Sequence, residues 1–460
     1  MDTSDAAHMQ AKVGNGPCQR PAVITPDAGF PAAGAHIGTG GPVAGVASAE
    51  ATPLGLLDLF GDGFVRNPHP WLDLLRAEAP VHHDLRTGLW LISRHRDVCR
   101  AFGDPAVFLP DNAQDAVTPL RTGALRVLAR AGFQLPPALA NNGADSHPAL
   151  RQVVARFFRS RRVAAAAPMM QRVADELLLT ARAGLEADGA CDLVTSFAQL
   201  LPCRVLMELL GVEDMESATL IRWSDASLEL FWGSPTARRQ LELAEIVGEF
   251  HTWLSATVRS GSVAPDSLIG ALRRLRLPGG ERIGPETAVS VCFFVFVAGQ
   301  STTGQLIATV LSRALTEPGL WPRVAYETGL AERWVEEILR REPPVTTWRR
   351  VTAQPVELGG VRLPAGARLL LMLMSAGSDP EVFAEPEKMC PHRPNTHRHL
   401  AFGMGSHRCP GASLARAEAA VALRAAARAL PHVRLMTGSA EPPMLGLLSF
   451  RAPLRLVVAG

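Results

Sequence analysis

The sequence predicts a mainly α-helical fold with small β-sheets, and three observations predict it. Apolar residues recur at helical spacing over long stretches, most clearly in Met169–Glu186 and Leu193–Leu210. A further stretch, Pro285 to Leu315, is rich in apolar residues along most of its length. As one helix it would measure roughly 45 Å at 1.5 Å per residue, enough to cross a domain. Strand-like runs, by contrast, are few and short, and Gly or Pro turns bound them.

Taken in order, residues 1–50 are rich in Gly, Ala and Pro without sustained periodicity, which reads as a disordered N-terminal tail. Residues 51–460 show neither an internal repeat nor a long linker, so a single domain is expected. His69–Ala79 is an amphipathic helix. Val81–Asp84 and Leu89–Ser93 form a hairpin through Arg86-Thr87-Gly88, and Arg94–Phe102 is helical again. Asp104–Ser146, with five prolines from Pro105 to Pro137, reads as a long functional loop. Helices dominate from His147 to about Arg276, and Gly211 is placed to cap one of them. Glu332–Arg341 is a helix stopped by Pro343-Pro344. Val356–Leu358, Val361–Leu363 and Arg368–Met374 are strands, turned at Gly359-Gly360 and at Gly366. Pro410–Leu430 is a final Ala-rich helix with Pro at a favoured first position.

Composition excludes several functions. The 460 residues are 47% hydrophobic and 20% charged, ordinary for a chain with a large core. A formal net charge of +2 offers no bulk attraction for nucleic acid. The longest apolar stretch, Val289–Gly299, is about eleven residues against the roughly 20 that a membrane span requires. With no targeting pattern at the N-terminus, a soluble, cytoplasmic protein is expected. The seven cysteines are odd in number and scattered, with no CxxC pair, so thiols are expected rather than a disulfide framework.

One segment carries the chemistry: Phe402-Gly403-Met404-Gly405-Ser406-His407-Arg408-Cys409-Pro410-Gly411. A thiolate that binds iron must be held deprotonated, and a helix N-terminus lowers a thiol pKa. Cys409 stands where the final helix begins, and the surrounding glycines let the chain approach a flat macrocycle. A thiolate ligand pushes electron density onto iron and favours O–O cleavage.

From about Pro53 to the C-terminus the sequence resembles the cytochrome P450 family. The Cys409 loop is similar to that family's haem-binding signature. Glu337-Ile338-Leu339-Arg340 resembles its ExxR element, with Arg393 of Pro391-His392-Arg393-Pro394 as third member. Physically this is a carboxylate held between two guanidinium forks. His147-Pro148-Ala149-Leu150-Arg151 resembles the early helix that holds the haem carboxylates. Arg350, with Arg349 as the adjacent alternative, and His407 match the remaining carboxylate partners, and Phe402 and Gly403 sit against the macrocycle.

The resemblance implies haem b (iron protoporphyrin IX) bound through Cys409 and dioxygen as co-substrate. It implies electrons from NAD(P)H passed on by a ferredoxin and ferredoxin reductase. Arg398, Arg408 and Arg416 near the loop are candidate docking residues. Ala298-Gly299-Gln300-Ser301-Thr302-Thr303 resembles the oxygen-binding bend of the family's long helix. There Gly299 makes room for dioxygen and Thr302 assists proton delivery. Many members carry Asp or Glu just before this Thr, whereas this chain has Ser301, a hydroxyl with no ionisable proton near neutral pH.

The expected reaction is oxidation of a small organic molecule in bacterial secondary metabolism, by hydroxylation or oxidative coupling. The run ending Asn141-Asn142 is similar to members that tailor cyclic dipeptides, and the two Asn side chains can satisfy a diketopiperazine ring. Phe231 and Trp232, with Val295 and Ala298, are the other candidate substrate contacts. A peroxide-driven haem enzyme and a non-catalytic haem sensor or carrier are the alternative classes.

Overall fold

The computed structural model describes residues 53–460 apart from 213–214, 261–262 and 437–441. The expected tail at 1–50 lies outside the described residues. Helices make up most of the described chain. The longest, the central helix Pro285–Thr316, is apolar on every side because every side is packed. Pro at its first position and a cluster of Val and Phe with almost no charge define it. It has the length and apolarity of a membrane span, but 72% of its apolar window is buried inside the protein.

Around it pack Leu200–Leu210, Ser217–Trp232, Ala237–Arg259, the clamp helix Leu330–Arg341 and the final helix Ala412–Ala429. Their inward faces and the central helix form one large apolar cluster, which includes Leu206, Leu228, Phe250, Phe296, Trp334 and Leu423. Gly211 caps Leu200–Leu210 in the left-handed region (φ 73°), as expected.

The strands are β1 (Val81–Asp84), β2 (Leu89–Ile92), β3 (Phe108–Leu109), β4 (Ala190–Asp192), β5 (Trp348–Thr352), β6 (Val356–Leu358), β7 (Val361–Leu363), β8 (Arg368–Leu371), β9 (Arg434–Leu435) and β10 (Val457–Ala459). The largest sheet runs β1-β2-β8-β5-β3, with β2 and β8 parallel in the register Trp90↔Leu369 to Ile92↔Leu371. Its apolar side chains, among them Ile92, Phe108, Leu369 and Leu371, form a second cluster beside the helices.

Four expectations are corrected. Asp104–Ser146 is not all loop: β3 and a helix, Thr122–Arg130, lie within it. The prolines bound this helix without entering it, and Ala124 and Leu128 supply its buried face. Strand β8 ends at Leu371, and Leu373–Ala376 winds into a helical turn where the chain leaves the sheet. Val194–Ala198 is a π-type turn rather than the start of one regular helix. Among the cysteines, Cys390 is disulfide-bonded, against the all-thiol expectation, because scattered spacing carries no signal of such a pair. Cys99, Cys191, Cys203, Cys292 and Cys409 are free.

Candidate active site around Cys409

The Cys409 loop folds back because Gly403 and Gly405 adopt φ of 65° and 73°, a region that side chains with a Cβ rarely enter. The Cys409 N–H then donates to the Phe402 carbonyl at 2.8 Å. The final helix begins at Ala412 with Gly411 as its N-cap, later than expected. Pro410 and Gly411 form the intervening turn, which directs the Gly411 N–H at the Cys409 sulfur.

That sulfur keeps accessible surface, but the surface faces an internal cavity. Removal from water pushes the thiol pKa up; the Gly411 N–H and then Arg151, Arg408 and Arg416 oppose this and favour the thiolate. A bound metal ion supplies the remaining stabilisation of a thiolate.

The cavity has a volume of about 200 Å³. Val295, Ala298, Gly299 and Thr302 of the central helix border it with Cys409. The Thr302 hydroxyl donates to the Ala298 carbonyl at 2.6 Å, and Thr303 donates to Gly299 at 2.9 Å. The helix runs without interruption through these residues, and the expected bend shows only as two back-bonded hydroxyls. Gly299 has a packing reason as well: a Cβ there would lie 3.0 Å from Leu206 Cδ2 on Leu200–Leu210.

On one side of the cavity stand basic groups from three separated segments. His147 and His407 stack with ring centroids 4.1 Å apart and planes 16° from parallel. His407 Nε2 bonds the Asn142 carbonyl at 3.0 Å, and Arg151 donates to the Arg408 carbonyl. Arg350 is buried, lies over the Phe102 ring at 5.0 Å and donates to the Arg349 carbonyl at 2.8 Å. Burial lowers the His147 pKa to about 4, with His407 and Arg151 adding to the effect, and it lowers Arg350 to about 10. His407 and Arg151 are shifted down by burial too. None of the influences on these four groups comes from a carboxylate. His147 Nε2 is buried with no partner among the described residues.

The expected clamp is present with all three members. Arg340 makes a two-pronged pair with Glu337 at 2.7 and 3.0 Å, and both side chains are 0% exposed. Arg393 Nε adds a bond to the same carboxylate at 3.1 Å, as does the Cys390 N–H at 3.0 Å.

The preceding residue, Glu336, was not singled out from sequence, because nothing in a Glu-Glu pair tells which member turns which way. It reaches Arg416 of the final helix and, at 3.2 Å, His399. Burial raises its pKa, but His399 and Arg416 outweigh that and hold it at about 2. A carboxylate depressed in the folded state adds stability above its unfolded pKa, and that stability fades as pH falls toward the folded value. Glu336→Gln is therefore expected to lower stability at pH 7 by on the order of 3 kcal/mol. The gap from wild type should narrow as pH falls from ~4.5 toward 2, in urea titrations across that range.

A family model described as cytochrome P450 matches residues 329–436. Over 406 residues the chain is 34% identical to cytochrome P450 monooxygenase PikC of Streptomyces venezuelae, covering 86% of this chain and 91% of that one. This chain belongs to the cytochrome P450 family. It is also 32% identical over 371 residues to cyclomarin C epoxidase CymV of Salinispora arenicola, covering 78% and 88%. Its fold matches that of cytochrome P450 CREJ in complex with (4-ethylphenyl) dihydrogen phosphate, with a TM-score of 0.80, 28% identity, and coverage of 86% and 97%.

As a cytochrome P450 monooxygenase, the protein takes haem b, dioxygen and electrons derived from NAD(P)H through redox partners, and it oxidises a small substrate. The residues present fit the haem. Four basic groups without a carboxylate, one of them with an orphaned ring nitrogen, suit an anionic propionate edge, and the Cys409 sulfur faces the same space.

The candidate substrate contacts divide. Trp232, Val295 and Ala298 border the cavity of this P450. Asn141 and Asn142 do not supply arms to it. Asn141 Oδ1 accepts the Ala138 N–H at 3.2 Å. Asn142 Nδ2 donates to the Ala138 carbonyl and Ser146 Oγ at 3.1 and 3.0 Å. Short polar side chains in a loop bond their own backbone first. Phe231 points the other way and stacks on Phe133 at 6.1 Å. The cavity walls that went unnamed from sequence, among them Phe294, Trp348 and Phe450, are ordinary apolar residues with no motif around them.

Proposed function

We propose that residues 51–460 form a single haem domain in which the Cys409 sulfur would bind the haem iron. His147, Arg151, Arg350 and His407 hold the haem carboxylates, and the substrate is an uncharged, apolar or aromatic small molecule. Phe402 and Gly403 border the haem face, and the Glu337–Arg340–Arg393 clamp holds the helix and the loops that frame the cofactor. The observation that carries the substrate class is the cavity wall. Its ionisable groups are His147, Arg151, His407 and Cys409, all in the cofactor set, and the rest is apolar or aromatic apart from Thr302 and Thr303. A substrate charge would be stripped of water there with no partner.

Bound in this cavity, the haem supplies the iron at which dioxygen is activated. The protein's share is to exclude water with Leu228, Trp232, Phe294 and Phe450, to orient the substrate against Val295 and Ala298, and to hold protons at Thr302. Relatives named as monooxygenases support this oxidative reading over a haem carrier. A ferredoxin and its reductase are the electron source, docking where Arg398 and Arg408 are exposed. Arg416 is taken out of that set by its bond to Glu336. A cyclic dipeptide stays within the uncharged class, although its expected Asn partners are committed elsewhere.

Paired ligands test the reading: indole against indole-3-acetate, and cyclic Phe-Leu dipeptide against linear Phe-Leu, each titrated into the ferric protein. The uncharged partner is expected to shift the Soret band, with the charged one binding at least ~10-fold more weakly. Equal binding of the charged forms would overturn the assignment.

A further inference from the structure

Arg349 is a buried cation that the cofactor set leaves over. It stands in β5 between Trp348, which borders the Cys409 cavity, and Arg350 of the basic group. Successive side chains of a strand point to opposite faces, so Arg349 turns away from both. It is 2% exposed and does not border the cavity. Its Nη1 and Nη2 donate to the Asp115 and Ala113 carbonyls at 2.5 and 2.9 Å. Its guanidinium carbon lies 5.5 Å from the centroid of the Trp232 ring. Nε is buried without a partner among the described residues. The charge of Asp115 attracts the group from a distance, but Arg349 is in no ion pair among those residues. A buried cation held only by carbonyls and a ring is costly, and an apolar side chain of similar volume would fill the space without that cost. The cost marks a role beyond filling space.

That role lies at residues 231–233, the end of Ser217–Trp232, which three segments hold. The Val117 N–H donates to the Phe231 carbonyl at 3.0 Å, and Thr118 Oγ1 donates to the Gly233 carbonyl at 2.9 Å. From the C-terminal side, the Leu448 N–H donates to the Trp232 carbonyl at 2.9 Å, and Phe450 meets the Trp232 ring edge-on at 5.5 Å. Arg349 reaches the same ring from outside the cavity and also holds the loop that carries Val117 and Thr118. Trp232 itself borders the cavity.

We infer that Arg349, bracing Trp232 from behind, is the positioning residue that sets the largest substrate the cavity admits. The inference rests on the haem reading of this cavity and not on the substrate class. A cation over an indole face is attracted by the ring, most strongly where water is excluded. A guanidinium also forks two carbonyls in one plane, which an ammonium group does not. One side chain therefore fixes the ring and the loop behind it together. Released from that brace, the ring can swing outward and lengthen the cavity.

Two measurements test this. The first titrates the ferric holoprotein with two imidazoles, one bearing a phenyl group and one a biphenyl group, and reads the Soret shift as nitrogen binds the iron. In Arg349→Met the preference is expected to move about 10-fold toward the biphenyl ligand, the scale of one lost charge-assisted contact. Arg349→Lys, which keeps a cation for the ring, should recover part of the shift. Trp232→Ala should move the preference at least as far, and adding Arg349→Met to it should change nothing more. An equal fall for both ligands in Arg349→Met, or full additivity in the double variant, would overturn the inference and leave Arg349 as a folding anchor. Both ligands bind iron whatever the natural substrate, so a wrong substrate class leaves this result intact. A wild-type Soret band that answers neither ligand would strike the haem reading and the inference with it.

The second needs no ligand. Hydrogen exchange at the Val117 and Leu448 amides, which donate to residues 231 and 232, is expected to quicken about 10-fold in Arg349→Met, while the amides of Pro285–Thr316 keep their rates. Unchanged protection at both amides would show that Arg349 braces nothing there.

Discussion

Replacing Cys409 with Ala is expected to abolish the thiolate-type absorption of the reduced, carbon monoxide-treated protein and to bring oxygen-dependent turnover to background. The effect is total because no other group can take the sulfur's place. The ionisable neighbours bordering the cavity are His147, Arg151 and His407, which belong to the basic set along its side. Burial works against a negative charge on the sulfur, and the Gly411 N–H, Arg151, Arg408 and Arg416 oppose that effect. Ser in place of Cys would restore the shape but not the charge, since an unassisted hydroxyl does not ionise near neutral pH. Folding should survive, because Cys409 contributes little packing and its N–H bond to Phe402 does not involve the side chain. A thiolate-type spectrum that persists in Cys409→Ala would remove the assignment of the ligand.

Glu337→Ala is expected to destabilise the protein by about 3–5 kcal/mol, because it leaves buried guanidinium charge unpaired. Glu337 and Arg340 are 0% exposed, and the Arg393 side chain is only 6% exposed. One carboxylate thus serves two cations and the Cys390 N–H. Arg340 also ties the clamp helix to the Gly377 carbonyl at 2.7 Å, while Arg393 donates to the Lys388 carbonyl at 2.9 Å. Loss of Glu337 therefore loosens the segment that leads into the Cys409 loop, and haem content per chain should fall together with the urea midpoint. Arg340→Leu in the same background should recover part of the loss by removing one of the stranded charges. A deficit below about 1 kcal/mol would mean that the clamp behaves like an exposed ion pair.

The difference in legibility between parts of the site has a physical origin. The Cys409 loop and the Glu337–Arg340–Arg393 clamp use residue types whose chemistry is rare and whose spacing is tight, so they stand out in the sequence. The central helix was readable because apolar residues sustained over so many turns have few alternatives. Direction is harder. Arg349 and Arg350 are neighbours in β5, where successive side chains alternate. Arg349 donates to the Asp115 and Ala113 carbonyls, at 2.5 and 2.9 Å, and only Arg350 joins the basic group. Asn141 and Asn142 misled because a polar loop residue reads the same whether it faces a ligand or its own backbone.

The pairing of β2 with β8 has a consequence for how the chain is made. Residues 89–92 leave the ribosome long before their sheet neighbours at 368–371 exist. At ~5–20 residues per second, the N-terminal hairpin waits roughly a quarter of a minute to one minute with an open edge. Throughout that interval the row of backbone groups along Leu89–Ile92 is a template for wrong partners. Nascent chains of this protein should therefore depend on chaperone cover until synthesis has passed the Trp348–Leu371 segment.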